Sequence, residues 1–264
     1  MFPGANADRG NADYAVVGAP LDRSASFRPG ARFGPERMRQ FARGFEDYDH
    51  HTDAHFSALG VHDAGDVRAW DDADAYLSFL TGELRDAAAD AVPLLLGGEH
   101  TVSVAGVRAT DPNIFVCCDA HLDLRESYDD NPLSHATVTH HALDTAERAI
   151  MLGARAGCEA EWERAANADV TVVPPADVPD WSPDFEGEAY LSVDVDALDP
   201  AHAPGTGTPE PFGLAPRTLQ RVVRDLAPRC VGFDVVEVTD RDDGQAATLG
   251  AKLLREFVFA HADG

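Results

Sequence analysis

Seven short apolar stretches limit what this chain can fold into. They lie at residues 14–20, 92–96, 114–118, 149–152, 170–173, 189–195 and 230–238. None alternates cleanly between apolar and polar residues. Each therefore reads as a strand covered on both faces. Helical patterns fill the intervals, at 34–45, 74–91, 101–110, 136–148, 159–167, 215–226 and 246–260. The alternation predicts an α/β fold: three α/β/α layers with a mainly parallel central sheet. At 264 residues, one domain spanning 1–264 fits the length. Binding sites in such sheets form at the carboxyl ends of the strands. The Pro- and Asp-rich stretch 174–188 reads as a surface loop.

Charge narrows the partners. Asp and Glu number 46 against 21 Lys and Arg, a net charge of −25. Such a chain repels nucleic acid and anionic lipid, so neither is expected as a partner. Lys252 is the one lysine. Abundant acid with almost no lysine points to a salt-saturated, halophilic cytoplasm, where counterions screen self-repulsion. No apolar run reaches the ~18 residues of a membrane span. The opening MFPGANADRG lacks the basic flank and apolar core of a secretion signal, so a cytoplasmic location is expected. Cys117, Cys118, Cys158 and Cys230 have no CxxC spacing and read as buried free thiols.

Three strand ends carry ligand-type residues. Asp119, His121 and Asp123 alternate directly after the stretch 114–118. In extended chain they would share one face. Asp194 and Asp196 do the same at the end of 189–195, where the blander reading is a strand-end cap. His100 follows the glycines Gly97 and Gly98, which permit a tight turn. Four carboxylates and two imidazoles cluster stably only around positive charge, and carboxylate with imidazole suits Mn²⁺ or Zn²⁺. Two divalent ions would supply +4 and lower the pKa of a shared water, so hydrolysis is the reaction class. His50, His51, His55 and His62 show no regular ligand spacing.

These motifs resemble the ureohydrolases, the family of arginase and agmatinase. They are GGEHT at 97–101, DAHLD at 119–123, SVDVDALDPAHAPGTGTPEP at 192–211 and FDVVEVTD at 233–240, in that order. GAPLDRSASFRPGARFGPERMR at 18–39 is similar to the agmatinase branch. The resemblance implies two Mn²⁺ ions. His100 and Asp123 would hold one, His121 and Asp196 the other, with Asp119 and Asp194 bridging. It also implies that a bridging hydroxide attacks a guanidinium carbon. Glu237 would bind the guanidinium of a small cationic substrate. His135 would carry a proton to the leaving amine, with Ser134 as a helix cap. Thr208, in the Pro- and Gly-rich loop, would bond substrate or a ligand carboxylate.

The loop between Asp123 and His135 lacks the hydroxyl run with which arginases hold an amino acid. Asp129 and Asp130 would instead attract a distant amine. This favours agmatine, giving putrescine for polyamine biosynthesis, as the substrate. A sister enzyme for guanidinobutyrate, formiminoglutamate or arginine stays open, because Arg125 would suit an acidic tail. Thr239-Asp240 stands where the family often has Ser/Asn-Pro. A one-zinc deacetylase and a non-catalytic subunit fit less well, since no ligand of the six is missing. The family implies a homo-trimer or homo-hexamer.

Overall fold

The computed structural model describes all 264 residues. Ten strands form: β1 (Tyr14–Ala19), β2 (Tyr48–Asp49), β3 (Ala54–His55), β4 (Val61–Asp66), β5 (Val92–Gly97), β6 (Ile114–Cys118), β7 (Arg148–Leu152), β8 (Val170–Val173), β9 (Ala189–Asp194) and β10 (Cys230–Val236). Seven helices accompany them: α1 (Gly34–Phe41), α2 (Ala73–Ala88), α3 (Ser103–Thr110), α4 (Val138–Ala142), α5 (Glu159–Ala165), α6 (Pro216–Leu226) and α7 (Gln245–Asp263). Eight strands make one sheet in the order β4-β1-β5-β10-β9-β6-β7-β8. Every pairing within it is parallel. β2 and β3 form a separate antiparallel ribbon.

The unbroken apolar stretches are explained by packing on both faces. Val16, Leu94, Val116, Ile150, Leu191 and Val235 turn to one side and pack with Met38, Leu219 and Phe257 of α1, α6 and α7. On the other side, Val17, Leu95 and Val236 meet α2 and α3. Cys117, Met151 and Tyr190 meet α3 and α4 on that same side. Successive side chains in a strand point to opposite faces, so a strand between two helical layers is apolar at every position.

Three expectations change. β4 was not foreseen, and His62 lies on it. It is an edge strand, exposed along one side, so its sequence VHDAGD mixes polar residues with apolar ones. Its Asp63 is buried through a two-bond pair with Arg39. The helix expected at 136–148 shrinks to a 3₁₀ turn at His135–Thr137 and the short α4. The Glu147 amide then donates to Asn113 O, drawing the chain back beside β6 to begin β7. The stretch 174–188 is not wholly surface, because Val178 and Phe185 are buried in the core.

Candidate metal centre

The four central strands β5, β10, β9 and β6 are neighbours, and their carboxyl ends deliver His100, Glu237, Asp194 and Asp119 to one place. Each strand end is shaped by backbone bonds. After β5 the chain turns at Gly98, whose amide donates to Ala19 O at 2.7 Å. A Cβ on Gly98 would collide with the Leu21 backbone, so only glycine lets the two segments approach. His100 then opens a 3₁₀ turn, His100–Val102.

The aspartates after β6 do not converge by strand alternation. β6 ends at Cys118, and Asp123 has a left-handed backbone with φ 50°. That turn sends the Asp123 carboxylate back toward His100. After β9, Asp194 accepts from the Asp196 amide at 2.8 Å, so it caps the turn and faces the site at once. Asp119 accepts from the His121 amide at 2.6 Å, and Asp196 from the Ala120 amide at 3.1 Å. In Asp194 and Asp196 a backbone N–H fixes Oδ1 and leaves Oδ2 facing the site, whereas in Asp119 the amide-bonded Oδ1 itself also faces His121.

The resulting geometry has two parts that share Asp119. His100 Nδ1 lies 2.9 Å from Asp123 Oδ2, 3.1 Å from Asp119 Oδ2 and 3.8 Å from Asp194 Oδ2. His121 Nδ1 lies 3.0 Å from Asp196 Oδ2 and 3.5 Å from Asp119 Oδ1. Thr208 donates to Asp196 Oδ2 at 3.3 Å. Thus all six sequence-derived ligand candidates come together, and Asp119 presents one oxygen to each histidine. His50, His51, His55 and His62 belong to no such group.

The donor set fits divalent cations. No lysine or arginine pairs with any of the four aspartates. Burial pushes the Asp123 carboxyl up to about 7, and the Asp119 charge adds to it. Burial and the neighbouring Asp196, Asp119 and Glu237 hold Asp194 well above the usual carboxylate range. For Asp119 burial acts upward too, but contacts with His100 and His121 bring it below that range. Buried like charges at this density call for a compensating cation.

Cys117 also sits beside His100 and Asp119. It lies behind the ring, 3.7 Å from Nε2, whereas the carboxylates face Nδ1. Burial pushes its thiol well up, which disfavours the thiolate that a metal would need. The His100 Nε2 side instead meets a buried chain. Ser192 Oγ lies 3.1 Å away and donates to Asp234 at 2.6 Å, and Tyr190 donates to the same carboxylate at 2.8 Å. Such partners fix a ligand histidine's ring orientation. The sequence held a signal for this, since Asp234 is the one acid inside the apolar core of β10.

Glu237 follows β10 with a left-handed backbone, φ 60°. Its Oε1 accepts from the His100 amide at 2.9 Å. A Cβ on Gly207 would stand 3.3 Å from Oε2, so glycine keeps space open beside that oxygen. Burial pushes the Glu237 carboxyl up to about 8, and the charges on Glu99 and Asp196 act the same way.

A cavity of about 290 Å³ opens over the centre. His121, Asp123, Arg125, Tyr128, His135 and Thr208 are among its lining residues. Asp129 and Asp130 are not; they are exposed on a turn with φ 50° and 60°. The cavity's far wall is a pair that the sequence did not reveal. Glu161 is buried, accepts from the Leu124 and Cys158 amides, and lies 3.2 Å from Arg125 Nε. Cys158 is half-buried at this wall, unlike the other three thiols.

The sequence profile of the arginase family matches residues 12–260. The agmatinase of Pyrococcus horikoshii is 34% identical over 255 residues, covering 92% of this chain and 90% of the relative. The N(1)-aminopropylagmatine ureohydrolase of Thermococcus kodakarensis is 35% identical over 256 residues, covering 92% and 88%. The crystal structure of the agmatine ureohydrolase of Thermoplasma volcanium superposes with a TM-score of 0.93 at 32% identity, covering 99% of this chain and 94% of that one.

Proposed function

The chain belongs to the arginase family, and on that premise we propose that it hydrolyses agmatine to putrescine and urea with two Mn²⁺ ions. One observation carries the reading: four aspartates and two histidines meet at adjacent strand ends with no lysine or arginine to neutralise them. In this reading His100 and Asp123 would hold one ion and His121 and Asp196 the other, with Asp119 and Asp194 shared by both. When bound, two divalent ions make hydroxide available near neutral pH.

The protein's own groups do the rest. Glu237 receives the guanidinium, for which a carboxylate is a geometric match. The guanidinium carbon gains an oxygen and loses its bond to the chain nitrogen. His135 passes a proton to that departing amine. Burial lowers the His135 pKa, so the ring gives up its proton readily. The amine tail lies in the cavity between Tyr128 and Glu161. Arg125 in that wall would favour an acidic tail instead, but its pairing with Glu161 offsets its charge.

Urea release by the Mn²⁺-loaded protein tests this. Agmatine, N(1)-aminopropylagmatine, arginine and guanidinobutyrate are compared side by side, with formamide assayed from formiminoglutamate. Agmatine turnover is expected to lead; preference for an acid would overturn the substrate and keep the hydrolysis.

The habitat, location and assembly belong to the same proposal. With a charge of −25, the chain is expected to melt higher in multimolar KCl than in low salt. A melting temperature indifferent to KCl would remove the salt-saturated habitat. No helix is long and apolar enough to cross a membrane, and four free cysteines fit a reducing cytoplasm. Sedimentation equilibrium should give a trimer or a hexamer.

A further inference from the structure

His100 and His121 are each gripped by aspartates, but no carboxylate pairs with His135. Hydroxyls meet its ring instead. Ser24 Oγ lies 3.1 Å from Nδ1, and Ser26 Oγ lies 3.2 Å from Nε2. Ser24 Oγ also accepts from the His135 backbone amide at 2.9 Å. Ser134 Oγ stands at 3.4 Å from Nδ1. The two serines come from the loop between β1 and α1, more than a hundred residues away in sequence.

We propose that Ser24 and Ser26 are positioning residues that hold the His135 imidazole in one orientation through both of its charge states. The proposal rests on His135 as the proton carrier. A hydroxyl carries one donor hydrogen and two acceptor sites, and it rotates. Neutral imidazole offers one donor and one acceptor; the cation offers two donors. A serine at each nitrogen satisfies both forms without moving the ring. A carboxylate would favour the cation, and a carbonyl would hold an N–H permanently on one nitrogen.

The cradle also selects a tautomer. Ser24 Oγ already accepts from the His135 amide, and Glu99, the other acceptor within its reach, already takes two amide N–H groups at Oε2, so the serine hydrogen is directed to Nδ1. The neutral ring then keeps its proton on Nε2, toward Ser26. Ser24 itself is fixed by a buried anchor. The Arg23 and Ser24 amides donate to Glu99 Oε2 at 2.5 and 2.7 Å, and Thr101 donates to Glu99 Oε1 at 2.9 Å. Glu99 precedes His100, so one turn sets both the ligand histidine and the cradle. Ser26 is exposed and lines the same cavity as His135, which places it on the solvent side.

Two measurements test the cradle. In metal-free protein labelled with ¹⁵N-histidine, the His135 ring, identified by subtraction of the His135→Asn spectrum, should show the Nε2–H form. Ser24→Ala should convert it to a tautomer mixture. An unchanged spectrum in Ser24→Ala overturns the cradle whatever the enzyme does. In the Mn²⁺ enzyme, Ser26→Ala should lower kcat about 10-fold, part of the ~10²–10⁴ that a positioned proton transfer contributes. Its agmatine KM, metal content and melting temperature should hold, and Ser26→Thr should recover most of kcat. Wild-type kcat in both alanine variants overturns the positioning role. If His135→Asn itself keeps kcat, the proton-carrier reading fails, and the nitrogen spectra alone decide the cradle.

Discussion

Around His100 every partner is buried, and the side chain is 1% exposed; His121, its counterpart across Asp119, is 26% exposed. The His100 half stands on a buried chain through Ser192, Asp234 and Tyr190. The His121 half is braced by Thr208 from a loop and forms part of the cavity wall. One half is built by the sheet and the other by the loops above it. Strand ends supply a buried floor and loops supply access, so an open cavity can lie over a centre whose base is closed to solvent.

The largest effect should come from the group common to both halves. Asp119→Ala is expected to lower turnover by about 10³-fold or more, because several kcal/mol of charge stabilisation depend on the ions. Metal analysis should show both ions depleted. Two ions per chain with wild-type turnover would end the comparison, since there would be no shared ligand. The halves can then be separated. Asp196→Ala should remove the ion beside His121 and leave the other. Asp234→Asn should weaken the His100 half by about 10–100-fold, the usual reach of a supporting residue. Calorimetric Mn²⁺ titration reads both. Equal weakening of the two ions by Asp234→Asn would mean that the halves act as one.

Glu237 sharpens the difference from the substrate side. Glu237→Gln should retain both ions and lower kcat/KM about 10–100-fold, the worth of a charge-assisted bond. Steady-state kinetics with metal analysis checks this; unchanged kcat/KM would take Glu237 out of substrate binding.

The smallest effect is a pH slope in the metal-free protein. Asp123 and Glu237 are raised to about 7 and about 8 by burial. Their folded forms bind more protons than their unfolded forms, so stability falls as pH rises through those values. Asp119 has the opposite sign, but its loss of stability would come only at strongly acid pH. The melting temperature should therefore fall as pH rises from 5 to 9. Mn²⁺ should flatten the Asp123 part and leave the Glu237 part. A metal-free melting temperature that rises over this range would contradict the assignment.

The sheet was legible because burial on two faces leaves a local mark in sequence. Strands β6 and β8 were bounded correctly, and the others to within a few residues. β4 escaped because an edge strand is polar on one side and depends on Arg39, 24 positions earlier, to bury its Asp63. The six ligand-type residues were visible as clusters after strands, although the turn at Asp123, which aims its carboxylate, was not. Glu99, Ser24 and Ser26 lie inside the motifs at 97–101 and 18–39, yet their roles could not be read there, and Glu161 lies in no motif. Each acts on a segment distant in sequence, so its partner leaves no local mark.

Asp123 and Glu237 share one more property. Both hold a left-handed backbone that side chains with a Cβ resist, at about 1–3 kcal/mol each. At these two positions the chain would be at greater ease with glycine. Selection for heat resistance alone would therefore drift toward residues that cannot do chemistry, and a library of thermostable variants should be depleted in active ones at positions 123 and 237. The centre persists against the preference of its own backbone, which makes these carboxylates the first that a non-catalytic descendant of this chain would lose.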